Sequence, residues 1–167
     1  MAAHLDGKGV TVLDMTGLAQ KGGAVFSHVR ICDDPAAIHA VRIATGEADA
    51  VIGGDAVVTA TNEALAKMQA GRTRVAVNCA ETPTAEFTRN PDWQFPLARM
   101  QQALREAVGA DALFCLDASA LAAQLMGDAI YANSLLLGYC WQLGMVPLAE
   151  AALARAIELN GVAVEQN

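Results

Sequence analysis

A chain of 167 residues makes one domain with room for a single core, which excludes a disulfide-stapled miniprotein and disfavours a two-domain enzyme. Apolar residues are 54% and charged residues 17%, against about 45–50% and about 25% in ordinary soluble domains, so an unusual amount of apolar surface has to be covered. Eleven Lys and Arg against eighteen Asp and Glu give a net charge of −7, the wrong sign for a nucleic-acid backbone or an anionic membrane surface.

From the amino terminus, short apolar runs alternate with helical patterns, the signature of an α/β domain. Val10-Thr11-Val12-Leu13 predicts a buried strand ending at Asp14. Val25, Ser27, Val29 and Ile31 alternate with Phe26, His28 and Arg30, which predicts a strand with one buried face and one, carrying Arg30, turned to solvent or a partner. Ala50-Val51-Ile52 predicts a third strand, followed by Gly53-Gly54. Asp55 then caps a helix with Val57, Val58, Leu65 and Met68 on one stripe, ended by Gly71. Arg74 to Asn78 predicts a further strand. Pro83, Pro91 and Pro96 make Glu81 to Pro96 an irregular loop of a length that is uncommon without a purpose. Leu97, Met100, Leu104 and Val108, spaced by three and four, predict a helix closed by Gly109. Leu113 to Leu116 predicts a strand, and Asp117 or Ser119 caps a helix through Met126. Tyr131 to Leu143 is apolar nearly all round, and Leu153, Ala156 and Ile157 stripe a last helix before Gly161. The expected architecture is a single Rossmann-like three-layer domain over residues 1–167, with a mostly parallel sheet and a helical carboxy-terminal part.

Asp128 is the lone charge between Ala118 and Ala149, but Gly127, Asn133, Gly138, Gln142, Gly144 and Pro147 interrupt the apolar run, which predicts buried helices and no membrane span. A helix apolar on every side must be enclosed on every side. Leu135, Leu136, Leu137, Tyr139, Cys140 and Trp141 are therefore expected at an interface with another domain or subunit, the plain alternative being that they fill the chain's own core. The opening MAAHLDGKG carries no secretory pattern, so a cytoplasmic location is expected. Cys32, Cys79, Cys115 and Cys140 form no CxxC pair and are expected to be small buried hydrophobes kept reduced.

The three histidines, His4, His28 and His39, lie on different segments with no ligand spacing, and each reads as structural. Asp14, Asp55 and Asp117 all follow predicted strands, where parallel sheets present ligand contacts; capping explains Asp55 and Asp117, leaving Asp14. The nucleophile-elbow, P-loop and dinucleotide-binding glycine motifs are missing. The densest polar constellation is Gln20-Lys21-Gly22-Gly23 with Arg30 beyond it. Paired glycines allow successive backbone N–H groups to form an anion nest beside Lys21, suited to a phosphate or carboxylate. A plain chain-reversing turn fits the same spacing. Arg89-Asn90-Pro91-Asp92-Trp93 reads either as a recognition loop or as a turn anchored by its ring.

Asp14 to Gly23 continuing into Ser27-His28-Val29-Arg30-Ile31 resembles the gamma domain of 2-oxoacid:ferredoxin oxidoreductases, and within them the indolepyruvate type. Gly46-Glu47-Ala48-Asp49, Phe87 to Pro91, Gly127-Asp128 with Asn133 and Gly138-Tyr139, and Ala156 to Glu165 fit the same pattern in the same order, so the resemblance covers essentially the whole chain. It implies a share in the oxidative decarboxylation of an aryl 2-oxoacid, with coenzyme A as acyl acceptor and ferredoxin as electron acceptor. It also implies that thiamine diphosphate, magnesium and the iron-sulfur clusters are held by partner domains or subunits, thiamine-binding and ferredoxin-type, in a homo- or hetero-oligomer. Gln20, Lys21, Gly22, Gly23 and Arg30 are the positions it carries over as cofactor-side contacts, with assembly or the coenzyme A path as the chain's part.

Members of that family begin this domain with a GxGGxGV strand-to-helix turn, whereas this chain opens at Met1-Ala2-Ala3-His4-Leu5. The expectation is a shortened domain whose first strand is missing, with a neighbouring strand left as an unpaired edge. Two other readings remain: a stand-alone Rossmann-like module binding coenzyme A or a dinucleotide, and a degenerate fragment without cooperative unfolding.

Overall fold

The computed structural model describes residues 1–16, 24–81 and 95–167. After a one-turn helix α1 (Ala2–Leu5), strands β1 (Gly9–Thr16) and β2 (Val25–Cys32) form an antiparallel hairpin, with Val12 opposite Val29 and Asp14 opposite Ser27. Strands β3 (Ala50–Gly53), β4 (Arg74–Asn78) and β5 (Leu113–Leu116) form a second sheet in that order, and both of its pairs are parallel. One-turn helices α2 (Ala56–Thr59) and α3 (Asn62–Leu65) follow β3. The longer helices are α4 (Leu97–Val108), α5 (Ala118–Met126), α6 (Ala132–Gln142) and α7 (Glu150–Asn160).

The parallel sheet is covered on both faces, which gives three layers, and the period of two along β4 shows how. Val75 and Val77 point into a core with Ala56, Ala64, Met68, Leu104 and Val108, drawn from α2, α3 and α4. Ala76, between them, points into a second core with Ala118, Ala122, Ala132, Leu136 and Cys140, drawn from α5 and α6. All three β4 residues are fully buried, as strands of a parallel sheet with helices on either side must be. Leu104 is fully enclosed too, and burying one such side chain contributes about 1.5–3 kcal/mol. Phe26 of β2 packs against the first core and holds the hairpin to the sheet. Asp6 accepts the Ala149 N–H at 3.2 Å and ties the chain's opening to the start of α7.

Several expectations are corrected. The first two strands do not join the parallel sheet but pair with each other, so Asp14 is not at a parallel carboxy edge; it sits within β1 and accepts the Ser27 hydroxyl at 2.6 Å. The buried face of β2 is the reverse of the hydropathy reading. Val25 and Val29 are exposed, while Phe26, His28 and Arg30 turn to the other side, because polar partners are waiting there for His28 and Arg30. The helix from Asp55 toward Gly71 is broken into α2 and α3. Thr59 gives its hydroxyl to the Asp55 carbonyl, and Thr61 gives its own to the Val58 carbonyl at 2.8 Å, competing with the helix ladder. Thr61 then serves as a new N-cap for α3. Helices α4 to α7 and strand β5 fall where the spacing puts them, with Gly109, Gly127 and Gly161 at positive φ beyond the ends of α4, α5 and α7.

Helix α6 is enclosed largely by its own chain. Leu136 and Cys140 are buried, Leu135, Leu137, Tyr139 and Trp141 are half-buried, and the Trp141 Nε1–H donates to the Leu148 carbonyl at 2.8 Å. The core-filling alternative describes these residues better than an interface. The large apolar side chains left exposed in this part of the chain are Leu121, Leu125 and Met126 on α5 and Ile130 just after it. Among the described residues no helix is long and apolar enough to cross a membrane.

Candidate functional site

A cleft of ≈ 370 Å³ separates the hairpin from the parallel sheet. Val25 to His28 of β2 form one wall, Ala50 to Gly54 of β3 and the turn after it form the other, and Val58, Thr59, Glu63, Ala64 and Lys67 supply the floor. The carboxy end of β3 opens here, and the carboxy ends of parallel strands are the usual ligand side of such sheets. Asp55 follows β3 and caps α2 by accepting the Val58 N–H at 2.7 Å. Asp117 follows β5 and caps α5 through the Ala120 N–H at 2.8 Å, so Asp117 and not Ser119 is the cap.

Like Thr59, His28 is buried in the cleft, 5% exposed. Its Nδ1 accepts the Ile43 N–H at 3.0 Å, which assigns the proton of the neutral ring to Nε2. Burial first, and then the positive charges of Lys67 and Arg42, hold its pKa below the usual imidazole value, so the ring is neutral at pH 7 and offers an N–H donor. Asn78, at the carboxy end of β4, is also buried. Its Oδ1 accepts the Ala118 N–H at 3.0 Å and the Ala80 N–H at 3.2 Å, and its Nδ2 donates to the Ser119 hydroxyl at 3.1 Å. One side chain thereby fixes the end of β4 to the first turn of α5.

Of the carried-over positions, Gln20, Lys21, Gly22 and Gly23 lie outside the described residues, as do Arg89 to Trp93. Arg30 is described and is not on the solvent face. Its Nη2 donates to Glu47 at 2.9 Å and to the Arg42 carbonyl at 3.0 Å, while its buried Nε has no partner among the described residues. The Arg30 guanidinium first, and the Ala44 N–H second, hold the Glu47 carboxyl below its usual value. The pair is partly exposed and screened by solvent, so it stabilises only weakly. It nevertheless ties the segment after the hairpin, at Arg42 and Glu47, to β2.

Reading the sequence as structural at every histidine passes over His28, and nothing in the spacing marks Asn78 or the Arg30–Glu47 pair. The available signals are that His28 and Arg30 share a strand face with Phe26, and that Asn78 interrupts an apolar strand at its carboxy end. His4 and His39 are exposed. Of the four free cysteines only Cys140 is buried, Cys32 and Cys79 are half-buried, and Cys115 is exposed. The expectation of four buried cysteines is corrected accordingly. Among the described residues no three His, Cys, Asp or Glu side chains gather to hold a metal. The donor set of these residues does not fit an iron-sulfur cluster or a magnesium–diphosphate group.

A parallel sheet with helices on both faces and polar groups beyond its strand ends defines a Rossmann-like α/β domain. The family profile of pyruvate ferredoxin/flavodoxin oxidoreductase matches residues 1–167, and the chain belongs to that family. Its fold is similar to the crystal structure of pyruvate oxidoreductase subunit PORC from Thermotoga maritima, at 18% identity and a TM-score of 0.59, over 99% of this chain and 77% of that one. No curated protein matches the chain.

Proposed function

We propose that the chain is the gamma-type component of a 2-oxoacid:ferredoxin oxidoreductase of the indolepyruvate type, acting in assembly and on the coenzyme A side without carrying the catalytic centre. The observation that carries this is the family match across residues 1–167. Thiamine diphosphate, magnesium and the iron-sulfur clusters belong, on this reading, to thiamine-binding and ferredoxin-type partners. Coenzyme A is, on this reading, a cosubstrate approached from the Gln20, Lys21, Gly22, Gly23 and Arg30 side of the chain. The complex acts in the cytoplasm on aryl 2-oxoacids.

The test is co-expression of the affinity-tagged chain with the products of adjacent genes. A stoichiometric complex containing bound thiamine diphosphate, active on indolepyruvate, is expected. A chain that stays alone and binds coenzyme A or a dinucleotide by calorimetry supports instead a stand-alone binding module.

A further inference from the structure

Helix α5 is held to its own domain by a narrow strip. Ala118 and Ala122, one turn apart, are fully buried in the core around Ala76 of β4, while Ala120, Ala123 and Gln124 on the far side of the helix are exposed. Leu121 and Leu125 stand on one flank and Met126 on the other. From Ala123 to Ile130 every residue is open to water, with Leu125 72% and Ile130 74% exposed. A surface helix normally turns charges outward. Here the outer side carries alanines, leucines and one amide, and Asp128 is the lone charge between Ala118 and Ala149. Large apolar side chains gathered in this way mark an association surface.

We propose that this surface is where two copies of the chain meet, α5 against α5 across a two-fold axis. Charge argues against a different protein as the occupant. Distinct partners select one another through complementary charges, and the patch offers only Asp128, whose carboxylate already accepts the Ile130 N–H at 2.9 Å. Two copies, each with a net charge of −7, repel over the rest of their surfaces and are least opposed where charge is missing. Area points the same way. The 9 residues of α5 make about 13 Å of helix. With Ile130 added, a contact one helix wide buries on the order of 400–500 Å² per copy, whereas a permanent subunit interface runs to about 2,000 Å² or more in total. The patch therefore suits a reversible contact. A two-fold axis sets it against itself: the small side chains of Ala120 and Ala123 let the two helix backbones come close, and Leu121 and Leu125 of each copy cover the flank of the other. This inference is independent of the reaction the chain serves.

The test is sedimentation equilibrium of the full chain from about 5 to about 500 μM. A monomer–dimer equilibrium is expected, with a midpoint of roughly 10–100 μM that tightens as salt rises from about 0.05 to about 0.5 M and screens the like charges. Leu125→Glu, at a position too open for the fold to depend on it, should weaken the dimer about tenfold or more at an unchanged melting temperature. Val12→Glu adds the same charge on the exposed side of the hairpin and should leave the dimer as it is. Amide exchange in Ala118 to Met126 should slow as the concentration rises. A monomer at every concentration leaves the patch to another partner and overturns the proposal. So do species that grow past the dimer, a dimer that Leu125→Glu leaves intact, and one that Val12→Glu dissolves equally.

Discussion

Replacing Asn78 by alanine tests how the end of β4 is held to α5. The substitution removes the acceptor of two backbone N–H groups and the donor to Ser119. Ala118 is fully buried, so its N–H has no access to water, and stranding such a donor costs about 1–3 kcal/mol. Ala80 is only half-buried and water can replace part of its bond, which with the Ser119 contact adds about 1 kcal/mol. The sum is a loss of about 2–4 kcal/mol, or roughly 5–15 °C in Tm for a chain of this size. Asn78→Asp keeps both acceptor bonds next to the start of α5, where negative charge is favoured, and should lose less than half as much at pH 7. Urea unfolding followed by circular dichroism measures both variants. An alanine variant within about 0.5 kcal/mol of wild type, or an aspartate variant as damaged as the alanine one, refutes the assignment of Asn78 as the acceptor that matters.

Two further outcomes follow from neighbouring residues. A Cβ on Gly53 would lie 2.2 Å from the Thr59 hydroxyl and 3.0 Å from a Val77 methyl, so Gly53→Ala should destabilise by about 1–3 kcal/mol while Gly54→Ala is tolerated; paired thermal melts with equal losses would contradict this. His28 has a folded pKa below its unfolded value near 6.5, so the unfolded chain binds more protons in between. Stability should fall as pH drops below about 6.5, and His28→Gln should flatten that acid limb in melts between pH 5 and 8; an unchanged slope would remove His28 as the cause.

The fold was legible in the sequence wherever the reason for an element is local. Asp55, Asp117, Gly109, Gly127 and Gly161 mark helix ends through their own side chains or their own φ, and the structure uses them so. What failed depends on partners distant in the chain. The inward turn of Arg30 and His28 is decided by Glu47, Arg42 and Ile43, which lie up to 17 residues away and carry no periodic signal. Without them, hydropathy turns Val25 and Val29 inward, the wrong way round. Helix α6 misled for a related reason, since its apolar sides are met by β4, α5 and the turn after it, a set of neighbours that composition alone cannot count. Of the candidate site, the sequence shows Arg30 and the residue run around His28, but the cleft itself arises from two sheets standing side by side.

The most direct measurement is 2-oxoacid-dependent reduction of ferredoxin, with coenzyme A, thiamine diphosphate and magnesium supplied, by the purified chain alone and by the chain assembled with its thiamine-binding partner. The account predicts no turnover above background for the isolated chain and full turnover for the assembly. Sustained turnover by the isolated 167 residues would contradict it.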